Sequence, residues 1–138
     1  MEQTLVLIKP DAVSRGLIGD IIRRFENRTL KIAALKIIQP SRELVERHYE
    51  VHRGQPYFED VVSFMFSGQV VAMVLEGENA VAVVRRMMGD LQPTEAQPGT
   101  IRGDHTLSVK ENLVHGSDSP ESAEKEIAVW FNPEEILT

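Results

Sequence analysis

The sequence contains no cysteine, which excludes disulfide bonds, thiolate metal ligands and a catalytic thiolate. Its 138 residues include no stretch that approaches the ~20 consecutive apolar residues of a membrane-spanning helix. Positive charge is also scarce, since the net charge is -6 and the pI is about 5.2. This balance argues against a nucleic acid or an anionic membrane as partner, because both are bound through basic surfaces. We expect one domain, residues 1–138, that is cytoplasmic and holds any anionic ligand with a local group of cations.

Serine nucleophiles and the common phosphate-binding loops are missing as well. There is no G-x-S-x-G turn, no G-x-x-x-x-G-K-[ST] loop and no protein-kinase signature. His115 is the best candidate for a nucleophile, because an imidazole with the unperturbed pKa of about 6.5 is largely neutral at cellular pH. It lies between an apolar stretch and the small polar residues 116–119. The alternative is a loop histidine beside a helix N-cap, and spacing alone favours neither.

Apolar runs and helical spacing alternate along the chain. Apolar runs at residues 4–8, 30–38, 70–75 and 127–131 predict four strands. Helical spacing predicts helices from Ile18, from Ser41, over 56–68, over 79–88 and from Ser119. Four strands interleaved with helices predict a two-layer α/β (α+β) sandwich, built as a ferredoxin-like βαββαβ unit with a four-stranded antiparallel sheet.

Residues 89–112 are the least regular part of the sequence. They contain Pro93, Pro98, Gly99 and Gly103 and show little periodicity. Irregular segments longer than about 12–15 residues are uncommon inside compact domains and are usually functional or disordered. Because this segment leads directly to His115, we predict that it is a long active-site loop.

Three cations are placed where a phosphate site would need them. Lys9 ends the first predicted strand, Arg85 lies late in the helix over 79–88, and Arg102 lies in the long loop. Guanidinium groups grip phosphate oxygens in pairs, so this set suits a polyphosphate. Taken singly, each residue also has a structural interpretation, such as a strand end for Lys9 or a solvated helix face for Arg85.

Residues 112–119, Asn-Leu-Val-His-Gly-Ser-Asp-Ser, resemble the active-site signature of nucleoside diphosphate kinases. Residues 8–13, 71–74, 76–77, 98–102 and 123–127 also resemble segments of that family, in the same order. The resemblance covers nearly the whole chain. It implies a ferredoxin-like core, a homo-oligomer (tetramer or hexamer) and a ping-pong exchange between nucleoside triphosphates, typically ATP, and nucleoside diphosphates.

Carried over to matching positions, the resemblance makes His115 the residue that becomes phosphorylated. It implies that Lys9 reaches the ribose hydroxyl and the terminal phosphate, and that Arg85 and Arg102 hold the phosphates. Asn112 is expected to bind the ribose.

The same resemblance assigns the base and the loop positions. Tyr57 stands where the family usually has Phe and is expected to stack on the base, with Val109 on the other side. Leu91 stands where the family usually has a Thr that donates to phosphate. Thr94 is the alternative donor in the same loop.

Tyr49, Ser117 and Glu126 are expected to hold the imidazole and its neighbours in place. Magnesium is expected to arrive on the nucleotide phosphates rather than in a protein cage, with Asp118 reaching it only through water.

Two other functions fit parts of the sequence. One is a catalytically weak nucleotide-binding regulatory module on the same fold, which Leu91 would favour and the intact signature at 112–119 opposes. The other is a ferredoxin-like regulatory or RNA-binding domain, which the acidic composition and the lack of paired exposed aromatics on a strand make a poor fit.

Overall fold

The computed structural model describes residues 1–137. Its strands are β1 (Glu2–Ile8), β2 (Lys31–Ile38), β3 (Val70–Gly77) and β4 (Val114–Gly116). Its α-helices are α1 (Pro10–Ser14), α2 (Ile18–Asn27), α3 (Arg42–His48), α4 (Phe58–Phe66), α5 (Ala80–Met88), α6 (Ile101–His105) and α7 (Pro120–Trp130). Short 3-10 turns lie at Glu50–His52 and Pro133–Glu135.

The four strands form one antiparallel sheet in the order β2-β3-β1-β4. Side chains of β1 alternate between the two faces, so Val6 and Ile8 enter one core while Leu5 and Leu7 enter the other. Helices α2 and α5 cover the first face, and α3, α4 and α7 cover the second. The ferredoxin-like fold predicted from the sequence is confirmed, with additional helices over the second face.

The strand predicted at residues 127–131 is wrong. These residues belong mostly to α7, which starts where Ser119 Oγ accepts a hydrogen bond from the Ser122 N–H at 3.0 Å. The apolar residues Ala123, Ile127 and Trp130 then recur at helical spacing; Ala123 is buried, and Ile127 and Trp130 pack in the second core.

The fourth strand is instead β4, three residues that pair with the end of β1. His115 lies opposite Leu7 in this pairing. The histidine therefore sits in the middle of a strand, and the loop position considered from the sequence is wrong.

The long segment over residues 89–112 is partly ordered by α6. Thr100 caps this helix, with its Oγ1 accepting from the Gly103 N–H at 3.0 Å. Arg24 of α2 donates to the Gly99 carbonyl at 3.0 Å and to Asp104 at 2.7 Å. These contacts tie the loop to the sheet-packed helix α2, so its site residues rest on a rigid element.

Other helix ends also differ from the sequence prediction. Helix α1 was not predicted, although Pro10 suits a first helical position. The helix expected from Pro56 begins at Phe58. Asn79 does occupy the N-cap of α5, but its φ is 55° and its side chain makes no cap hydrogen bond; Glu2 accepts from the Val81 N–H instead.

Among residues 1–137, no helix is both long enough and apolar enough to cross a membrane.

Candidate active site

A cavity of about 260 Å³ opens between the end of β1, β4, helix α5 and the long loop. Eight of the eleven residues predicted for the site lie on its wall. Those that border it are Lys9, Tyr49, Tyr57, Arg85, Leu91, Arg102, Asn112 and His115. The remaining three, Val109, Ser117 and Glu126, do not border it.

His115 is held from behind by a carboxylate. Its Nε2 lies 2.8 Å from Glu126 Oε1, and Ser117 Oγ donates to the same oxygen at 2.8 Å. The Leu5 N–H donates to Ser117 Oγ at 3.3 Å, which fixes the hydroxyl. Because an ionised carboxylate only accepts hydrogen bonds, the proton of the neutral imidazole belongs on Nε2. Nδ1 is left with the free lone pair.

The backbone just before His115 adopts a conformation that a leucine rarely takes. Leu113 is fully buried and has a φ of 75°. Its N–H donates to Asp11 Oδ2 at 3.0 Å, and its carbonyl accepts from the Lys9 N–H at 2.9 Å. A bulky residue persists in the left-handed region only when its surroundings over-determine it. These two bonds supply that constraint and aim Asn112 and His115 at the same cavity.

Lys9 extends from the end of β1 and donates from Nζ to Asn112 Oδ1 at 2.8 Å. Burial of the ammonium group, and secondarily the charge of Arg102, lowers the pKa of Lys9 to about 8. Both causes penalise the charged form of Lys9, and the negative charge of an anionic ligand would offset that cost.

The two arginines have different surroundings. Arg102 is buried and donates from Nε to the Asn112 carbonyl at 3.1 Å, from Nη1 to the Gly89 carbonyl at 3.0 Å and from Nη2 to the Val114 carbonyl at 2.8 Å. Burial and the nearby charge of Arg85 lower the pKa of Arg102 to about 10, so it remains cationic at neutral pH. Arg85 is exposed and donates to the Gly116 carbonyl at 3.0 Å. Most of its donors remain free for a ligand.

An aromatic wall closes the outer end of the cavity. The Tyr57 ring is 46% exposed, and its hydroxyl lies 2.8 Å from His52 Nδ1. Leu91 faces this region from the loop and is 45% exposed, whereas Thr94 does not border the cavity. Val109 is equally exposed; its carbonyl accepts from Asn112 Nδ2 at 2.9 Å. The wall offers a ring face and apolar side chains to a flat ligand.

A second cavity of about 470 Å³ lies on the other side of His115. Asp118 is exposed and borders this second cavity, as do Glu126 and Lys125. In the part of the chain that the structure describes, no Asp or Glu side chain lines the first cavity. A divalent cation there would therefore depend on oxygens brought by its ligand.

Sequence reasoning missed His48, which packs against the nucleophile candidate. The His48 ring lies 4.6 Å from the rings of both Tyr49 and His115, each at 83°. Tyr49 therefore contacts the site partly through His48. Burial, and secondarily Glu126, raises the pKa of the Tyr49 phenol, so that hydroxyl stays neutral. No motif signals His48, because its contact joins α3 to β4 across a long sequence separation.

Residues 2–136 match the family model described as nucleoside diphosphate kinase. Among curated proteins, the chain is 56% identical to a nucleoside diphosphate kinase of Listeria monocytogenes serotype 4b (strain F2365), covering 100% of this chain and 94% of that protein. It is 56% identical to the enzyme of the same description from Thermus thermophilus, over 99% of this chain and 100% of that protein. The apo crystal structure of a nucleoside diphosphate kinase from Encephalitozoon cuniculi superposes with a TM-score of 0.95 at 45% identity, covering 100% of this chain and 94% of that one.

The lowered pKa of Lys9 predicts a pH dependence of ligand binding. Below about pH 8 the ammonium is already charged, whereas above it the free protein has lost that proton. A diphosphate raises this pKa, so ADP binding should take up a proton above pH 8, and its affinity should fall by up to about tenfold per pH unit. Titration calorimetry in buffers of different ionisation enthalpy measures both effects. Lys9→Met is the control, and equal proton uptake by that variant would contradict the assignment.

Proposed function

The chain belongs to the nucleoside diphosphate kinase family, and we propose that His115 carries the phosphoryl group in the exchange that this family catalyses. The chain is thus a phosphotransferase acting on nucleotides. A catalytically weak regulatory module is not favoured, because relatives at 54–58% identity are described as enzymes. The observation that supports His115 is its hydrogen bond to Glu126, which leaves one ring nitrogen free at the cavity wall.

In the proposed first half-reaction, the Nδ1 lone pair attacks the terminal phosphorus of a nucleoside triphosphate. A P–N bond forms as the bond from that phosphorus to its bridging oxygen breaks, and the nucleoside diphosphate leaves with the electron pair. A second diphosphate reverses these steps. Glu126 keeps the proton on Nε2 and stabilises the positive charge that develops on the ring. Neutral imidazole needs no general base, so positioning and charge stabilisation supply most of the catalysis.

The three cations take different parts in this scheme. Arg85, with free donors at the cavity wall, grips the transferring phosphate. Lys9 reaches the terminal phosphate and, with Asn112, the ribose hydroxyls. Arg102 supplies a fixed positive charge while its hydrogen bonds hold the loop against β4.

Tyr57 is the proposed platform for the base, with Val109 packing from the loop side. A ring face carries little information about base edges, so such a platform tolerates any nucleobase. Leu91 offers the nucleotide an apolar side chain, which has no hydrogen-bond donor, at the wall of the first cavity.

Magnesium is the proposed cofactor, and the donor set fits a metal that enters on the nucleotide. The first cavity is bordered by cations rather than carboxylates. The protein around it therefore binds the phosphate oxygens, and the phosphate oxygens would in turn be the ligands of the metal. When bound, the ion neutralises part of the phosphate charge. Asp118, in the second cavity, would approach it only through water.

The proposed assembly is a homo-oligomer, a tetramer or a hexamer, in the cytoplasm with the nucleotide pool. β2 is the outer strand of the sheet and presents Leu35 and Ile37, which are 50% and 55% exposed. Exposed apolar side chains on an outer strand favour association with another chain.

His115→Ala should abolish exchange, because the variant has no nitrogen to carry the phosphoryl group. Incubation with ATP and GDP should give GTP with the wild type only. Labelled ATP should leave acid-labile, alkali-stable label on the wild type and none on the variant. His105→Ala is a matched control, since His105 borders neither cavity. Label that survives acid would indicate a serine ester and contradict the proposal.

Arg85→Ala should lower kcat about a hundredfold, since loss of one donor to developing charge costs on the order of 3 kcal/mol. Arg86→Ala is the control, because Arg86 is exposed on the same helix and does not border the first cavity. Arg102→Ala should lower both kcat and Tm, since three carbonyls lose their donor. Steady-state kinetics in which Arg85→Ala raised KM alone would refute its role in the transition state.

Replacing Leu35 and Ile37 together by lysine should lower the oligomeric state, because charge on a strand edge opposes pairing with another chain. Sedimentation velocity measures the mass. Val51→Lys is the control, since Val51 is 82% exposed and belongs to the short 3-10 turn Glu50–His52 rather than to the sheet. An unchanged mass for the double variant would show that this edge is not the interface.

A further inference from the structure

His48 is a buried imidazole that the proposed phosphoryl transfer does not use. It ends helix α3 and is only 8% exposed. Its ring meets the ring of His115 edge to face, with 4.6 Å between centroids and 83° between planes. Trp130 packs on it at 5.7 Å and 73°, and the ring borders the second cavity.

Trp130 fixes the tautomer of His48. The indole Nε1–H donates to His48 Nδ1 at 3.0 Å. An indole nitrogen is only a donor, so Nδ1 must be the accepting nitrogen of the imidazole. The proton of neutral His48 therefore resides on Nε2, which hydrogen-bonds to no residue of 1–137.

This tautomer argues against a metal site at the same place. His48, His115 and Glu126 each offer a ligand atom, and these atoms lie within 4.8 Å of one another. A metal at His48 Nε2 would move the proton to Nδ1, where it would face the Trp130 N–H. The cost of two opposed donors favours a role for the ring other than metal ligation.

The surroundings also keep His48 uncharged. Burial, and then the charges of His115, Lys9 and His52, hold the pKa of His48 well below its usual range. The groups that face it from neighbouring elements are His115 on β4, Lys9 after β1, Tyr49 and His52 after α3, and Glu126 on α7.

We propose that His48 is a positioning residue, a neutral ring locked by Trp130 that holds the plane of the His115 imidazole. The inference rests on the proposed role of His115. It adds a second point of support to the one that Glu126 provides. A single hydrogen bond at Nε2 fixes one atom of the ring, and the terminal torsion of a histidine has a broad minimum. A ring packed at right angles blocks that rotation and keeps Nδ1 aimed at the phosphorus.

The test compares single-turnover phosphorylation by labelled ATP in the full chain. His48→Ala should slow phosphorylation about tenfold or more, because small errors in aim are costly in transfer reactions. KM should stay within about twofold, since His48 does not border the first cavity. His48→Phe, which restores an aromatic ring, should recover most of the rate. Val45→Ala is the matched control, because Val45 is fully buried on the same helix and should lower only Tm.

A wild-type rate in His48→Ala, or a His48→Phe variant as slow as His48→Ala, would overturn the inference. If His48→Ala does not fold, Trp130→Phe decides, since it keeps an aromatic ring and removes the donor. Nitrogen-15 NMR should then show mixed tautomers of His48 together with slower phosphorylation; mixed tautomers at the wild-type rate would overturn the inference. A wild type that forms no phosphohistidine would overturn the proposed function as well, whereas a labelled wild type with an equally fast His48→Ala overturns the inference alone.

Discussion

The left-handed backbone at Leu113 is the constraint on which the site depends. Its N–H is held by Asp11 and its carbonyl by the Lys9 backbone, while Arg102 bonds the carbonyls of Asn112 and Val114 on either side. Every carbonyl from 112 to 114 thus has a fixed donor. The strain at Leu113, of order 1–3 kcal/mol, is offset by these bonds, and the result is a rigid backbone segment two residues before the histidine.

Arg102 and Arg85 show how one residue type takes two functions in one cavity. The buried guanidinium of Arg102 is committed to three carbonyls, so its positive charge is stationary, while the exposed guanidinium of Arg85 has donors to spare. From the sequence alone, both arginines are predicted to bind phosphate, because both are cations in a chain that carries the signature at residues 112–119. Burial and hydrogen-bond partners distinguish the two roles. Arg102 holds the backbone of the site in place, whereas Arg85 is able to bind the substrate.

The sequence predicted the parts of the structure that rest on local pattern. The apolar runs that form β1, β2 and β3 are long enough to be recognised, and the signature around His115 is continuous in sequence. β4 was not predicted because a strand of three residues with a histidine in the middle is too short to show a hydrophobic pattern. The apolar residues at the end of α7 resemble a strand in sequence, and that is why a strand was predicted there instead. His48 was not predicted because its partners, His115 and Trp130, lie on other elements. Contacts between distant elements produce no recognisable spacing of residues in the sequence.

Clustered cations in an acidic protein carry a free-energy cost that the ligand removes. The chain has a net charge of -6, yet Lys9, Arg85 and Arg102 share one small cavity. Burial is the main cause that lowers the pKa values of Lys9 and Arg102, and repulsion by a neighbouring cation lowers both further. A polyphosphate brings several negative charges to that point and offsets the repulsion between the cations. The acidic remainder of the surface disfavours long polyanions, whose charge would extend beyond the cavity. The charge pattern therefore favours the short polyphosphate of a nucleotide over a long polyanion.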